Sequence, residues 1–190
     1  MKKLLSLAAL ALTFCTHVPV RPDGRVFVGK LQNLYPVNLQ KTVYRSEQPS
    51  AADFIAMKQQ LGLCAVVKLN SALEGHDVLP DGVDFIDDWM LPAGPVALTD
   101  KLSCQRLHEI VDDIDNACKP VDVHCTLGDD RTGLVLMLWE LWTKSQPIHP
   151  SAAAVWREGV AHGFHDKLYP MLVDAFVDCS GYDPRKDGAM

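Results

Sequence analysis

The pattern of apolar residues predicts five short strands along the chain. LCAVVKL (63–69) is an almost unbroken apolar run, which is typical of a strand buried on both faces. The other strand candidates are RVFV (25–28), TVYRS (42–46), VDFIDDWML (83–91) and PVDVHC (120–125). The segment PAGPVAL (92–98) is rich in proline and glycine, and it therefore predicts a loop.

Segments with helical periodicity separate these strands. Ser50, with Asp53 three residues later, predicts the capped start of a helix. Thr99 or Asp100 is expected to cap a second helix that runs to about Ala117. Further helices are predicted over residues 131–144, 150–163 and 165–177, and Pro170 limits the last of them to a start or a kink near that residue. Strands that alternate with helices in this way predict an α/β fold, in which helices flank a mainly parallel central sheet.

The segment DVHCTLGDDRTG (122–133) carries the clearest chemistry. It follows a predicted strand and opens a predicted helix, which is where open α/β sheets bind ligands. The backbone N–H groups of Thr126 to Arg131 can surround an oxyanion, and Arg131 offers a planar fork for two phosphoryl oxygens. The same N–H groups and the positive charge of Arg131 favour the thiolate form of Cys125, which is the nucleophilic form.

Four neighbours of the cysteine are given supporting roles. Gly128 allows a sharp turn, and the hydroxyl of Thr132 can donate a hydrogen bond to the cysteine sulfur. His124 is expected to orient the loop rather than to take a proton. Asp129 is expected to face solvent at the rim.

HCTLGDDRTG resembles the phosphate-binding loop of the cysteine-dependent protein tyrosine phosphatases, His-Cys-x5-Arg-Thr-Gly, and looks nearest to the small dual-specificity-type enzymes of bacteria. VYRSEQPS (43–50) resembles a segment that opens the domain in many of them, and the similarity covers about residues 40–165. The resemblance implies a protein-tyrosine-phosphatase-like fold with the phosphate loop between a strand and a central helix. It also implies hydrolysis of phosphotyrosine, and of phosphoserine or phosphothreonine, through a phosphocysteine intermediate without metal or cofactor.

The resemblance assigns Cys125 as nucleophile, Arg131 as phosphate clamp and an aspartate as general acid. The substrate-binding residues that it implies are Thr126, Leu127, Gly128, Asp129 and Thr132. The loop that usually carries the acid, here 92–98, contains no acidic residue. Some bacterial relatives end the phosphate loop with DRTG, which implies that Asp130 takes this role; Asp88 and Asp100, on either side of the 92–98 loop, are the alternatives.

Two other functions stay open on the same residues. One is a phosphatase of an inositol phosphate, a phospholipid or a nucleotide, which is ranked second because the loop has no Lys or His between Cys125 and Arg131. The other is a pseudophosphatase that binds phosphorylated partners without turnover. The expected partner is therefore a phosphorylated protein or a small phosphomonoester.

The N-terminus has the pattern of an export signal. MKK precedes an apolar run of eleven residues, LLSLAALALTF (4–14), which is too short to span a bilayer. We expect residues 1–20 to be a signal peptide or N-terminal anchor, 21–180 a single phosphatase domain and 181–190 a C-terminal tail. The expected location is the bacterial periplasm or the medium, with the cytoplasm as the alternative, and any membrane association would come through the N-terminus.

Composition and cysteine spacing argue against nucleic acid and metal ions as ligands. The net charge is -6 and no basic patch is evident, which argues against nucleic acid. The six cysteines form no CxxC pair, so no metal site is expected. Cys64 and Cys104 are interpreted as small buried hydrophobes, and Cys104 lies too far along its helix from Cys118 to bridge it. One disulfide among the remaining four cysteines would suit an exported protein.

Overall fold

The computed structural model describes residues 24–31, 33–38, 40, 42–90, 103–143 and 149–186. Its strands are β1 (Tyr35–Pro36), β2 (Val43–Ser46), β3 (Ala65–Lys68), β4 (Asp84–Asp87) and β5 (Val121–His124). Its helices are α1 (Ala51–Leu61), α2 (Cys104–Asn116), α3 (Asp130–Trp142), α4 (Ala152–Ala161) and α5 (Pro170–Ser180).

The strands form one sheet in the order β1-β2-β5-β3-β4. Strand β5 lies at its centre and pairs in parallel with β2 and β3, and β3 pairs in parallel with β4. Only the short β1 pairs antiparallel among the described strands. The predicted α/β fold with a mainly parallel sheet is therefore confirmed.

Side chains that alternate along the strands build a core on each face of the sheet. Val67 and Val123 belong to the larger cluster, which includes side chains of α2, α3, α4 and α5. Tyr44 and Val66 point the other way and pack with α1 in a second cluster. Because β3 and β5 are covered on both sides, their residues are fully buried, as the apolar run at 63–69 predicted.

The predicted strand at residues 25–28 is wrong. Its side chains do alternate, with Val26 and Val28 buried and Phe27 half exposed. However, the backbone makes a single bridge, in which the Val26 N–H donates to the Leu34 carbonyl at 2.9 Å. The alternation of buried and exposed side chains was thus predicted correctly, but this segment packs on the α1 side of the sheet instead of adding a strand to it.

Helix ends follow the predictions in part. The Ser50–Asp53 capping box is present at the start of α1. Helix α2 is capped by Ser103, whose hydroxyl accepts from the Arg106 N–H at 3.2 Å, so the predicted caps at Thr99 or Asp100, which lie outside the described residues, are wrong. The last helix starts at Pro170, one of the two outcomes that this proline predicted, because proline fits the first helical position, where no N–H is needed.

Two disulfides correct the interpretation of the cysteines. Cys64 bonds to Cys118 and Cys104 bonds to Cys179, with Cα–Cα distances of 5.5 and 5.3 Å. Cys64 and Cys104 are therefore not free buried hydrophobes, and the expectation of one bridge among the other cysteines is also wrong. The first pair precedes β3 and β5, which are adjacent parallel strands, so topology brings the two sulfurs together.

The predicted N-terminal segment, residues 1–20, lies outside the described residues. Within the described ranges, no helix combines the length and apolar character needed to cross a membrane. The predicted tail begins at Gly181, which is the C-cap of α5. Arg185 ties its described part back to Asp174 at 2.7 Å.

Candidate active site

The central strand delivers the cysteine to a loop of five residues before helix α3. Cys125 follows the end of β5 directly, and Asp130 is the first residue of α3. Gly128 has φ +78°, and a Cβ on it would lie 2.4 Å from the Ser46 carbonyl oxygen. This position therefore requires glycine for two reasons, its backbone conformation and its close approach to β2.

Cys125 and Arg131 share one cavity of about 170 Å³. Its lining consists of Glu74, Cys125, Thr126, Leu127, Asp130, Arg131 and Tyr169. Both residues are nearly buried, with relative exposures of 3% for Cys125 and 4% for Arg131. Burial opposes charge on Arg131, but its bonds to Glu74 and the nearby Cys125 sulfur raise its pKa. The predicted nucleophile and clamp are thus brought together, and Cys125 is the free cysteine of the described part of the chain.

Glu74 is a residue of this site that the sequence analysis missed. Its carboxylate accepts two hydrogen bonds from Arg131, from Nη1 at 2.8 Å and from Nη2 at 2.7 Å. The Ser71 N–H and hydroxyl also donate to it. The bonds from Arg131, against partial burial, lower the pKa of Glu74 from 4.5 to about 2. A planar carboxylate therefore already binds the guanidinium with the bidentate geometry that suits oxyanions.

Thr126 completes this contact at the first loop position after the cysteine. Its hydroxyl accepts from Arg131 Nη2 at 3.1 Å and donates to Glu74 Oε1 at 3.3 Å. Leu127, the next residue, is 59% exposed at the mouth of the cavity. Thr132 is fully buried in the first turn of α3, and its hydroxyl has no partner among the described residues, so the predicted hydrogen bond to the Cys125 sulfur is not formed.

The two loop aspartates have different environments. Asp130 is 7% exposed, lines the cavity, and accepts at Oδ1 from the backbone N–H of His165 at 2.8 Å. Asp129 accepts from Asn33 Nδ2 at 2.9 Å, and burial raises its pKa against this bond. The expectation that Asp129 faces solvent at the rim is therefore wrong, because it lies half-buried against the segment that contains Asn33 and against Gly163.

A buried arginine supports the loop from the side of the sheet. Arg45, on β2, donates from Nη2 to the carbonyl oxygens of Gly128 at 2.6 Å and His162 at 3.3 Å. The first of these bonds gives the Gly128 carbonyl a buried partner. The arrangement ties the loop to both β2 and the end of α4.

His124 contacts a second acid from the β3–β4 connection. Its Nε2 lies 3.0 Å from Asp77 Oδ2, and both side chains are almost fully buried. Burial alone would raise the pKa of Asp77, but the hydrogen bond and charge of His124 outweigh it and lower the pKa. Glu74 and Asp77 therefore hold Arg131 and His124, on either side of the cysteine, from a single connection.

Of the two alternative acids, Asp88 is described by the structure and does not line the cavity. Asp88 is buried beyond β4 and accepts from Arg106 Nη2 at 2.9 Å. Burial and the neighbouring Asp113 raise its pKa against that bond. Asp100 and residues 92–98 lie outside the described residues. The described parts of the chain contain no group of three or more His, Cys, Asp or Glu that could hold a metal ion.

Comparison with known proteins identifies structural relatives at low sequence identity. No protein-family model matches the chain, and no curated protein matches it significantly. Among solved structures it is similar to Tk-PTP in the active form, with 20% identity, a TM-score of 0.54 and coverage of 76% of this chain and 97% of that one. It is similar to the core catalytic domain of the PP-IP phosphatase SIW14 from S. cerevisiae, with 15% identity, a TM-score of 0.52 and coverage of 86% and 98%. It is also similar to P. aeruginosa TpbA, with 23% identity, a TM-score of 0.51 and coverage of 83% and 88%.

Proposed function

We propose that this chain, which has the fold of the cysteine-dependent protein tyrosine phosphatases, is a phosphoric monoester hydrolase. It would be of the small dual-specificity type and would act on phosphotyrosine. One observation carries the proposal: the Cys125 thiol and the Arg131 guanidinium meet in one cavity, where the central strand ends and helix α3 begins. Phosphoserine and phosphothreonine are further candidate substrates. The mechanism needs no metal and no cofactor.

The first step forms a phosphocysteine. The Cys125 thiolate attacks phosphorus, the sulfur–phosphorus bond forms, and the bond to the leaving oxygen breaks. Arg131 and the backbone N–H groups of Thr126, Leu127, Gly128 and Asp129 bind the equatorial oxygens, whose charge they stabilise. Asp130 gives its proton to the leaving oxygen, since it is the aspartate that lines the cavity among the described residues.

The second step regenerates the cysteine. Asp130, now a carboxylate, accepts a proton from a water molecule that attacks phosphorus. The sulfur–phosphorus bond breaks and inorganic phosphate leaves. Thr132 stays in the proposed substrate-binding set, because its buried hydroxyl has no partner among the described residues and a hydrogen bond from it would stabilise the departing thiolate.

The charge of the cavity favours a substrate with one phosphoryl group. Among the described residues of its lining, Arg131 is the one basic residue, whereas Glu74 and Asp130 are acidic. A polyphosphorylated inositol would bring charge that this lining repels. The likeness to a PP-IP phosphatase nevertheless supports an inositol phosphate as the second candidate, and a phospholipid or a nucleotide falls in the same group.

A substrate panel tests this proposal. We expect the wild-type protein to hydrolyse p-nitrophenyl phosphate and phosphotyrosine peptides, and Cys125→Ser to bind phosphate but not to turn over. A higher kcat/KM on an inositol polyphosphate than on phosphotyrosine peptides would replace the proposed substrate. Phosphopeptide binding without turnover of any substrate would instead indicate a pseudophosphatase.

We also propose export to the periplasm or the medium, with residues 1–20 as signal peptide or N-terminal anchor. Two disulfides among the described cysteines support an oxidising compartment. Fractionation of cells that express the full chain tests this. A protein found only in the cytoplasm, with an intact N-terminus, would contradict it and would also remove any membrane association.

A further inference from the structure

The connector between α4 and α5, residues 162–169, contacts the loop and the start of α3. Its His162 carbonyl oxygen accepts from Arg45, which also binds the Gly128 carbonyl. Phe164 packs against Gly133, where a Cβ would approach its ring to 3.1 Å. At its far end, Tyr169 lines the cavity beside Cys125. The connector is therefore part of the wall of the candidate site.

His165 makes the connector's most specific contact with this site. Its backbone N–H donates to Asp130 Oδ1 at 2.8 Å, and its ring Nδ1 lies 3.1 Å from the same oxygen. No described residue donates to Asp130 Oδ2. The ring itself is 46% exposed, whereas the Asp130 side chain is 10% exposed. A half-exposed histidine thus contacts one oxygen of a nearly buried carboxyl group through both its backbone and its ring.

The two donors on Asp130 Oδ1 determine which oxygen of the neutral acid carries the proton. A carboxyl oxygen that accepts two N–H hydrogen bonds has no room for the acidic hydrogen, so the proton lies on the other oxygen. Here that oxygen is Oδ2. With Oδ1 tied to the connector, Oδ2 is the oxygen left for the cavity that Asp130 lines.

We infer that His165 is a positioning residue that holds Asp130 Oδ1 and thereby presents the protonated Oδ2 to the leaving-group oxygen. This inference rests on the proposed function, because it assigns a partner to the proposed general acid. His165 itself touches neither the substrate nor the reacting atoms. Its ring, in the tautomer with hydrogen on Nδ1, supplies the second of the two donors.

The test compares substrates with good and poor leaving groups. His165→Ala keeps the backbone N–H and removes only the ring donor. We expect kcat/KM for phenyl phosphate to fall about tenfold, a part of the ~10²–10⁴-fold that a general acid contributes. For p-nitrophenyl phosphate, whose leaving group needs little protonation, we expect a loss below about twofold. His165→Asn, which retains a short N–H donor, should recover most of the loss, and His149→Ala is the matched control at another exposed histidine.

A double-mutant cycle separates positioning from general damage to the fold. In an Asp130→Asn background, His165→Ala should cause no further loss on phenyl phosphate. Equal losses on both substrates, a loss that persists in the Asp130→Asn background, or no loss at all would overturn the inference. If the thermal midpoint shows that His165→Ala does not fold, the same two substrates are compared in His165→Asn and His165→Phe. We then expect His165→Asn to remain active on phenyl phosphate and His165→Phe to be impaired on it. A wild-type protein inactive on both substrates would instead overturn the proposed function, and this inference with it.

Discussion

The bidentate pair of Glu74 and Arg131 gives a stability prediction that depends on pH. In Glu74→Gln the carboxylate is replaced by a neutral amide of the same shape, which can accept from only one of the two guanidinium nitrogens. Arg131 is 5% exposed in its side chain, so it would be left largely buried without a counter-charge. We expect the variant to be less stable than the wild type at neutral pH.

The pKa of Glu74 sets the size of this effect. A fall from 4.5 to about 2 corresponds to roughly 3 kcal/mol at ~1.4 kcal/mol per pKa unit. The Glu74 side chain is still 26% exposed, and solvent screening reduces the expected loss to about 1–2 kcal/mol. Because the folded-state pKa is lowered, this stabilisation is fully present above pH 4.5 and is lost as the pH falls toward 2.

Urea unfolding of the wild type and Glu74→Gln at several pH values measures this difference. The gap in the free energy of unfolding should be largest near neutral pH and should narrow steadily below pH 4.5. Glu109→Gln, at an exposed pair with Arg106, is the control and should change stability by about 0.5 kcal/mol or less. A gap that does not vary with pH, or one no larger than that of the control, would refute the reasoning.

Glu74→Gln should also bind inorganic phosphate more weakly, since Arg131 loses the partner that fixes it; tighter binding would mean that Glu74 competes with substrate.

Three further predictions follow from other parts of the structure. Arg131→Lys should lower kcat/KM nearly as much as Arg131→Ala, because a point charge cannot replace a planar fork, and near-wild-type kinetics would contradict this. Burial raises the pKa of Asp122 to about 6, so Asp122→Asn should stabilise the protein by about 1–3 kcal/mol above that pH and have little effect below pH 3.8, as urea unfolding can test. Replacing both Cys64 and Cys118 by alanine should cost about 2–4 kcal/mol in unfolding free energy, and an unchanged thermal midpoint would argue against that bridge.

Local patterns predicted the elements around the cysteine because their causes are local. The apolar run before Cys125 and the apolar helix after Arg131 are each read from neighbouring residues, and the loop between them is short. The same holds for the capping box at Ser50, whose partner lies three residues away. These features needed no knowledge of how distant segments meet.

Contacts between distant segments could not be predicted in this way. Glu74 lies 57 residues before Arg131 in a connection without periodicity, so no spacing in the sequence links the two. The same applies to His165, which reaches Asp130 only because α4 and the connector fold back on the loop. A signal does exist in the strand order: once β3 and β5 are adjacent, the residues that follow their ends must lie near one another.

The proposed reaction requires Cys125 to carry the phosphoryl group during turnover. Rapid acid quenching of the wild-type protein during hydrolysis of a ³²P-labelled phosphotyrosine peptide, followed by proteolysis and peptide mapping, tests it most directly. We expect label on the peptide that contains Cys125 in the wild type, and no label in Cys125→Ser. Turnover without labelled Cys125, or label that persists in Cys125→Ser, would contradict it.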